Sequence, residues 1–349
     1  MQSVLVAMSG GVDSAVAAHL AAKNAAAAGV TMRLAVSGAT NTAQSEKDIA
    51  DARKACEALG MQHFVADLSD AFARCVVAPF IEAYERGETP NPCVDCNKAI
   101  KFGALLDFAK NAGFDLLATG HYARVEASGG RFLLRRAADS TKDQTYMLYS
   151  LSQDVLSRVR FPLGDLKKTE VREIAASLGL AAAARGDSQD ICFLPEGDYA
   201  AFIEKNSKNT PKKGEFRWCD GTVLGTHEGI IRYTVGQRKG LGIAMGRPVF
   251  VLSKSAADNA VVLGDEKDLF TRRVRVRDIN FIPFDTLSGS MHLTAKARYR
   301  QSAEPARVEQ IGADEILVEF EKPQRAISPG QSLVLYDGDY VVGGGKICL

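Results

Sequence analysis

The chain has 349 residues, of which 46% are hydrophobic and 24% charged, and 43 basic against 42 acidic residues leave a net charge of +1. This length predicts two or three domains. The composition is close to that of soluble globular proteins, which excludes a disordered chain. No uncharged apolar run approaches the roughly 18 residues of a membrane span, which excludes a membrane-spanning chain. The start reads as a buried strand rather than a signal peptide, so we expect a cytoplasmic protein. Seven cysteines, an odd number at low density, favour reduced, reactive or metal-binding thiols over a disulfide scaffold.

Short β-branched runs alternate with amphipathic stretches over residues 1–205, which is typical of a parallel sheet with helices on both faces. We expect strands at 4–6, 30–36, 63–68 and 116–119, and helices from 14 and over 46–59, 71–84, 100–111 and 169–178. The alanine-rich runs 21–28 and 181–184 are interpreted as helix.

The composition changes near residue 205, where Lys, Asn, Pro and Gly crowd positions 205–214 and helical periodicity fades. Short alternating strands with glycine turns are predicted beyond residue 215. Residues 206–267 carry ten basic and six acidic side chains, which sets them apart from the rest. We therefore predict domains at 1–205, 206–267 and 268–349. Within the last, Arg298 and Arg300 are expected to share one face of a strand that could meet phosphates.

Residues 9–14 read Ser-Gly-Gly-Val-Asp-Ser and lie between the first strand and an alanine-rich helix. An open parallel sheet binds phosphate at this position, because backbone N–H groups at the helix start face the anion and glycines allow close approach. Ser9 and Ser14 would add hydroxyl donors. We call this segment the phosphate loop. It lacks the Gly-Lys-Ser/Thr ending of a Walker A loop, so no lysine is placed to reach β- and γ-phosphates.

This loop resembles that of ATP pyrophosphatases, enzymes that split ATP between its α- and β-phosphates and adenylate a carbonyl oxygen. The superfamily includes small-molecule synthetases as well as tRNA-sulfurating enzymes, so the loop alone does not identify the acceptor.

Two cysteine segments indicate which kind of acceptor the enzyme uses. Cys93 and Cys96 lie three apart on a proline-stiffened loop that opens a helix, and Cys192 follows a polar run at 187–190. We expect the helix N-terminus and the nearby Lys98 and Lys101 to lower the thiol pKa values. The remaining cysteines lack paired spacing and are interpreted as structural.

With these segments, five further motifs make the chain similar to the tRNA-specific 2-thiouridylases over almost its whole length. They lie at 118–124 (Ala-Thr-Gly-His-Tyr-Ala-Arg), 142–146, 233–242, 297–300 and 323–331. The resemblance implies an α/β fold: an N-terminal doubly wound parallel sheet of the adenine nucleotide alpha-hydrolase type, a small mainly β central domain, and a C-terminal β-barrel that contacts tRNA.

The resemblance also implies the reaction. The C2 oxygen of the wobble uridine, position 34, would be adenylated by ATP with Mg²⁺ and replaced by persulfide-derived sulfur, giving 2-thiouridine, AMP and pyrophosphate. The partners would be tRNA and a persulfide donor, either a cysteine desulfurase or a sulfur-relay protein, with no membrane contact and a monomeric enzyme.

Residue roles follow from the same resemblance. Cys96 would be the nucleophile and Cys192 the persulfide carrier. Cys96 would either release the persulfide sulfur or resolve the bond by forming a Cys96–Cys192 disulfide. The residues expected to contact ATP are Ala7, Met8, Ser9, Gly10, Gly11, Val12, Asp13, Ser14, Met32 and Gly120. Those expected to surround the target base are Asn91, Pro92 and Cys93, and those expected to contact tRNA are His121, Lys142, Asp143, Gln144, Arg298, Tyr299 and Gln331.

Three alternatives stay open. Cys93 stands where many relatives carry a proposed general acid/base aspartate, so Cys93, Cys96 and Cys192 could instead bind a [4Fe–4S] cluster or, less simply, a structural zinc ion. The chain could also be a small-molecule adenylating synthetase with structural cysteines. A third reading is a catalytically silent RNA-binding protein.

Overall fold

The computed structural model describes residues 2–36, 42–180, 191–194, 198–209 and 212–348, with the backbone alone for residues 42 and 43. The expected helical run 181–184 and the polar run 187–190 lie outside the described residues. The chain divides into two compact units. The first contains residues 1–76, 93–197 and 338–342, and the second contains residues 77–92, 198–337 and 343–349.

The chain up to residue 180 alternates helices and strands. In order, they are β1 (Ser3–Ala7), α1 (Val12–Ala22), β2 (Ala26–Arg33), α2 (Thr42–Ala58), β3 (His63–Asp67), α3 (Ser69–Phe72), a π-helical segment (Ala73–Val77), α4 (Ala78–Glu85), α5 (Pro92–Cys96), a second π-helical segment (Asn97–Ala104), α6 (Leu105–Asn111), β4 (Leu116–Thr119), β5 (Ala123–Ser128), β6 (Arg131–Arg136), a 3₁₀ turn (Thr145–Met147), α7 (Gln153–Arg158), β7 (Val159–Arg160) and α8 (Lys168–Ser177).

Five strands of the first unit form a parallel sheet in the order β3-β2-β1-β4-β7. The central strand β1 is apolar because it is covered on both faces. Val4 and Val6 pack in a core with residues of α1, α2 and α8, while Leu5 points to the opposite face and is fully buried. The predicted doubly wound parallel sheet is confirmed.

The alanine-rich run 21–28 was not one helix: α1 ends at Ala22 and β2 begins at Ala26. Small residues on β2 have a packing reason. A Cβ at Gly29 would overlap the Cys56 sulfur of α2, so this part of the strand lies very close to the helix above it. Alanine here serves close packing rather than helix formation.

The rest of the chain is mostly β. In order, the elements are α9 (Tyr199–Asn206), β8 (Gly214–Trp218), β9 (Val223–His227), a 3₁₀ turn (Ile230–Arg232), β10 (Phe250–Ser255), β11 (Ala260–Gly264), a 3₁₀ turn (Glu266–Leu269), β12 (Phe270–Phe281), β13 (Ser290–Lys296), β14 (Glu304–Gly312), β15 (Glu315–Arg325), β16 (Ser332–Asp337) and β17 (Tyr340–Cys348).

The second unit holds two β structures. Strands β10-β11-β8-β9 form a small sheet, and β12-β15-β14-β13-β16-β17 form a barrel that closes through pairing of β12 with β17. Closure needs residues without side chains, because a Cβ at Gly343 or Gly345 would overlap the backbone of β12. This confirms the predicted central β domain and C-terminal barrel. Among the described residues, no helix combines the length and apolarity needed to cross a membrane.

The expected strand through Arg298 and Arg300 was wrong. Strand β13 ends at Lys296, and residues 297–300 form a bend and turn in which the Gln301 N–H donates to the Arg298 carbonyl at 3.1 Å. The period-two spacing of the arginines therefore does not place them along one strand face.

Candidate active site

The phosphate loop joins the carboxyl end of β1 to α1, as expected. Gly10 has a φ of +72°, which favours glycine, whereas Gly11 at φ −92° is in the ordinary extended region. The Ser14 hydroxyl donates to the Gly11 carbonyl at 3.0 Å and accepts from the Ser9 N–H at 3.1 Å. This hydroxyl thus ties the loop to itself and preorganises its backbone.

Asp13 of this loop is held by two side chains that the sequence analysis did not single out. The Lys168 ammonium donates to both carboxylate oxygens at 2.8 Å, and the Tyr122 hydroxyl donates to one of them at 2.9 Å. The Lys168 side chain is only 9% exposed. Lys168 is 155 positions from Asp13 in the sequence, so no local pattern predicts this pair. The two residues meet because α8 packs against α1.

Two other residues expected at the ATP site lie on neighbouring strands. Gly120 follows β4, and a Cβ there would come within 2.9 Å of the Asp13 carbonyl carbon, so this strand end lies directly against the loop. Met32 lies near the carboxyl end of β2, beside β1, and is partly exposed. Carboxyl ends of parallel strands share one edge, which places both residues on the loop's side of the sheet.

Cys93, Cys96 and Cys192, the cysteine cluster, all belong to the first unit. Cys93 and Cys192 are exposed, and Cys96 is partly exposed. None of the seven cysteines, all of which lie among the described residues, forms a disulfide. The pKa of Cys96 is affected by the charges of both Cys192 and Cys93, and the pKa of Cys192 by that of Cys93, so the three sulfurs lie close enough to interact.

The expected lowering of the thiol pKa values was wrong. Crowding by surrounding atoms raises the pKa of Cys96 to about 12 and also raises the pKa values of Cys93 and Cys192. Lys101 acts in the predicted direction on all three, but desolvation of the thiolates outweighs it. Lys98 is exposed on the same helix. At neutral pH the resting cluster therefore holds protonated thiols.

Cys192 is placed by its neighbour. The buried Phe193 ring meets the buried Phe72 ring of α3 edge-on, with centroids 5.6 Å apart. The Leu194 N–H donates to the Ile191 carbonyl at 3.0 Å, which closes a tight turn around the cysteine. The hydrophobic residue after Cys192 thus anchors the segment, while Cys192 itself is an exposed residue.

His121, expected to contact tRNA, lies between Lys101 and Thr119. Its Nε2 is 3.4 Å from the Lys101 Nζ and its Nδ1 is 2.7 Å from the Thr119 hydroxyl. Burial and the Lys101 charge hold the pKa of His121 well below its usual range, so the ring is neutral. Because an ammonium only donates, Nε2 accepts and Nδ1 carries the proton.

The run Lys142-Asp143-Gln144 is largely engaged within the first unit. The side-chain oxygen of Gln144 accepts from the Tyr122 backbone N–H at 2.9 Å, and the backbone N–H of Gln144 donates to the Tyr122 carbonyl at 3.0 Å. Asp143 accepts from the Ala137 N–H and from the Thr145 hydroxyl. These residues fix the chain next to His121, and direct contact with tRNA stays a prediction.

The other expected base and tRNA contacts belong to the second unit. The Arg298 guanidinium donates to the Ala326 carbonyl, to the Ser328 hydroxyl at 2.8 Å and to the Val235 carbonyl at 3.4 Å. Arg298 therefore joins the central domain to the barrel. Its neighbour Tyr299 is an exposed aromatic, with the Lys296 ammonium 5.4 Å from the ring centre.

Gln331 acts on the loop that leads to Asn91 and Pro92. Its side-chain amide donates to the Thr89 carbonyl at 2.7 Å, and the Thr89 N–H donates to the Pro329 carbonyl at 2.8 Å. Gly330 makes this possible, because a Cβ there would collide with Glu88. Gln331, predicted to contact tRNA, thus also supports the segment that contains Asn91 and Pro92, which are predicted to surround the target base.

The residues suggested as ligands for a [4Fe–4S] cluster or zinc do not form a site by geometry. Among the parts of the chain that the structure describes, no three His, Cys, Asp or Glu side chains are grouped so as to hold a metal ion. The acidic side chain that the phosphate loop could offer to Mg²⁺ is that of Asp13. Both of its carboxylate oxygens already accept hydrogen bonds from Lys168.

Comparison with known proteins gives three domain matches. Residues 2–196 match the model of the tRNA methyl transferase HUP domain, residues 200–265 that of the tRNA methyl transferase PRC-barrel domain, and residues 271–347 that of the aminomethyltransferase beta-barrel domain.

Full-length relatives carry a different activity in their names. The tRNA-specific 2-thiouridylase MnmA of Clostridium acetobutylicum is 45% identical over 352 residues, which is 99% of this chain and 99% of that protein. The tRNA-specific 2-thiouridylase MnmA of Clostridioides difficile is 44% identical over 353 residues, which is 99% of this chain and 98% of that protein. These matches cover 98–99% of each chain, whereas each domain match covers only a part, so the family is assigned from these relatives.

Proposed function

This chain belongs to the tRNA-specific 2-thiouridylase family, and from that premise we propose that it adenylates the C2 oxygen of the wobble uridine 34 and replaces it with sulfur from a persulfide on Cys192. The observation that carries the proposal is the joint presence, in one compact unit, of the phosphate loop and of Cys96 with two further cysteines, Cys93 and Cys192, whose charges affect its pKa. A synthetase for small molecules needs the first feature and has no use for the second.

The first step uses ATP. The uridine C2 oxygen attacks the α-phosphorus, and pyrophosphate leaves. Backbone N–H groups of the phosphate loop, rigidified by Ser14 and by the Asp13–Lys168 pair, would hold the phosphates. Mg²⁺ would be brought with the nucleotide and held mainly by its phosphates, because Asp13 is already paired. Adenylation is required because a uridine carbonyl has no leaving group.

Sulfur transfer follows in three steps: attack on C2, release of the thiolated base, and restoration of the enzyme. The terminal sulfur of the Cys192 persulfide attacks C2, AMP leaves with the former carbonyl oxygen, and a Cys192–S–S–C2 adduct forms. The Cys96 thiol then loses its proton and its sulfur attacks the Cys192 sulfur: the Cys96–Cys192 bond forms, the bond from Cys192 to the transferred sulfur breaks, and 2-thiouridine leaves and takes up the proton at N3. A dithiol reductant supplies two electrons to restore both thiols, and a persulfide donor recharges Cys192. The exposure of Cys192 suits it to receive sulfur from another protein.

The test is release of AMP and pyrophosphate by the purified enzyme, with and without an unmodified tRNA transcript. We expect release only with tRNA, and 2-thiouridine only when a persulfide-generating desulfurase is added. A Cys96→Ser, Cys192→Ser double variant should lose thiolation completely. Release without tRNA, or full activity of the double variant, would instead indicate a small-molecule synthetase. No release under any condition would indicate a silent RNA-binding protein.

A further inference from the structure

A lysine that the reaction above does not use lies one helical turn from the candidate nucleophile. Lys101 and Cys96 are five residues apart, across the start of the π-helical segment Asn97–Ala104. In an α-helix, five residues make about 1.4 turns and would point to different sides. A π-helix bonds residue i to i+5, which the Leu105 N–H to Ile100 carbonyl bond shows here, so residues five apart share a side.

The position of the Lys101 ammonium is fixed by a neutral histidine. The His121 Nε2 accepts from Nζ at 3.4 Å, and the opposite ring nitrogen is tied to Thr119 at 2.7 Å. The His121 ring is packed between Phe102 and Phe161, with centroids 5.7 and 6.0 Å away. A flexible lysine side chain is thus held by an imidazole that has little freedom to move.

We propose that Lys101 acts in the sulfur-transfer step: its ammonium, aimed by His121, stabilises the negative charge on the Cys96 sulfur as it attacks Cys192. This inference rests on the proposed function. The charge of Lys101 favours the thiolate of each of the three cysteines, which agrees with this placement. A desolvated thiolate needs such a cation more than a solvated one does, because charges interact more strongly where water is excluded.

The role also accounts for His121. A neutral imidazole can orient the lysine without competing for its charge, whereas a carboxylate in that place would neutralise it. His121 is therefore a positioning residue, and it acts on the sulfur chemistry through Lys101.

The first experiment needs neither tRNA nor ATP. Cys96 alkylation by iodoacetamide at pH 8 is followed by peptide mass spectrometry in wild type, Lys101→Gln, Lys101→Met and Lys101→Arg. The matched control is Lys98→Gln, an exposed lysine on the same helix. The two neutral variants should react about tenfold more slowly, since an adjacent opposite charge shifts a pKa by one unit or more. Lys101→Arg should stay within about threefold of wild type, because it keeps the charge. Thermal melts identify any variant that fails to fold.

The second experiment separates the two proposals. Enzyme loaded with persulfide is mixed with ATP and tRNA transcript, and pyrophosphate and 2-thiouridine are timed over a single turnover. Lys101→Gln should release pyrophosphate at the wild-type rate and free 2-thiouridine about tenfold more slowly, with the Cys192 adduct accumulating. Equal alkylation and equal thiolation in Lys101→Gln and Lys98→Gln would overturn the role of Lys101. Absence of tRNA-dependent pyrophosphate from wild type, with the alkylation difference intact, would overturn the reaction and support the effect of the Lys101 charge on Cys96.

Discussion

The phosphate loop and the cysteine cluster lie in the same unit but are held by different kinds of interaction. The loop depends on backbone conformation and on hydrogen bonds among its own residues, with Lys168 and Tyr122 fixing Asp13. The pKa values of the cluster depend on the balance between desolvation of the thiolates by surrounding atoms and the charge of Lys101. The hydrogen bonds preorganise the backbone of the loop, whereas the raised pKa values leave the thiols of the cluster protonated at neutral pH.

The largest expected effect is the loss of ATP binding when a side chain is added to the phosphate loop without changing its charge. Gly11→Val should lower ATP affinity more than about 100-fold while the protein stays folded, because Gly11 has an ordinary φ and the added side chain would occupy the phosphate's place. Calorimetric titration with ATP, together with a melting curve, measures both. The matched control is Gly10→Val, which should instead lower the melting temperature because of its φ of +72°. A folded Gly11→Val with wild-type affinity would refute the loop assignment.

The second prediction concerns the charge state of the cluster. With a Cys96 pKa near 12, the thiolate fraction should rise about tenfold for each pH unit between 7 and 9, with no plateau. The rate of Cys96 alkylation measured across this range reports it directly. A thiol with a lowered pKa would instead react at a constant rate above neutrality, and such a plateau would contradict the desolvated cluster.

The third prediction tests how the loop is anchored. Lys168→Met leaves the Asp13 carboxylate with Tyr122 alone, and should lower the free energy of unfolding by about 2 kcal/mol, less than for a fully buried pair because the Asp13 side chain is a third exposed. Urea denaturation measures it. Lys167→Met, which replaces an exposed neighbour, should change stability by less than about 0.5 kcal/mol. Equal effects of the two variants would show that the pair contributes nothing specific.

The smallest effects separate two neighbours in the second unit. Tyr299→Ala should weaken tRNA binding about tenfold without changing stability, since an exposed ring can stack on a base. Arg298→Ala should lower the free energy of unfolding by about 1–2 kcal/mol, because the Val235 carbonyl loses its guanidinium donor and the Ala326 carbonyl is left with the Ser328 hydroxyl. Filter binding and denaturation distinguish them. The reverse pattern would make Arg298 the tRNA contact and Tyr299 the structural residue.

The comparison also explains what the sequence could predict. The phosphate loop is a local pattern of glycines and hydroxyls between a strand and a helix, so its position and backbone role were predictable. The cysteine spacing located the candidate thiols, and Lys101 of the same segment acts on their pKa values in the predicted direction. The desolvation that outweighs it comes from atoms that the fold brings around the sulfurs, which no local pattern contains. Lys168 was missed for the same reason. The strand expected at Arg298 failed because alternation over three residues cannot be told from a turn.

The central claim is that sulfur passes from a persulfide on Cys192 to tRNA and leaves Cys96 and Cys192 joined. The most direct test is a single turnover with ³⁵S-labelled persulfide on Cys192, ATP and an unmodified tRNA transcript, followed by nucleoside and peptide analysis. We predict labelled 2-thiouridine and an equal amount of Cys96–Cys192 disulfide, and a trapped tRNA adduct with Cys96→Ser. Thiolation at the wild-type rate by Cys96→Ser, or activity only after reconstitution with iron and sulfide, would contradict this account.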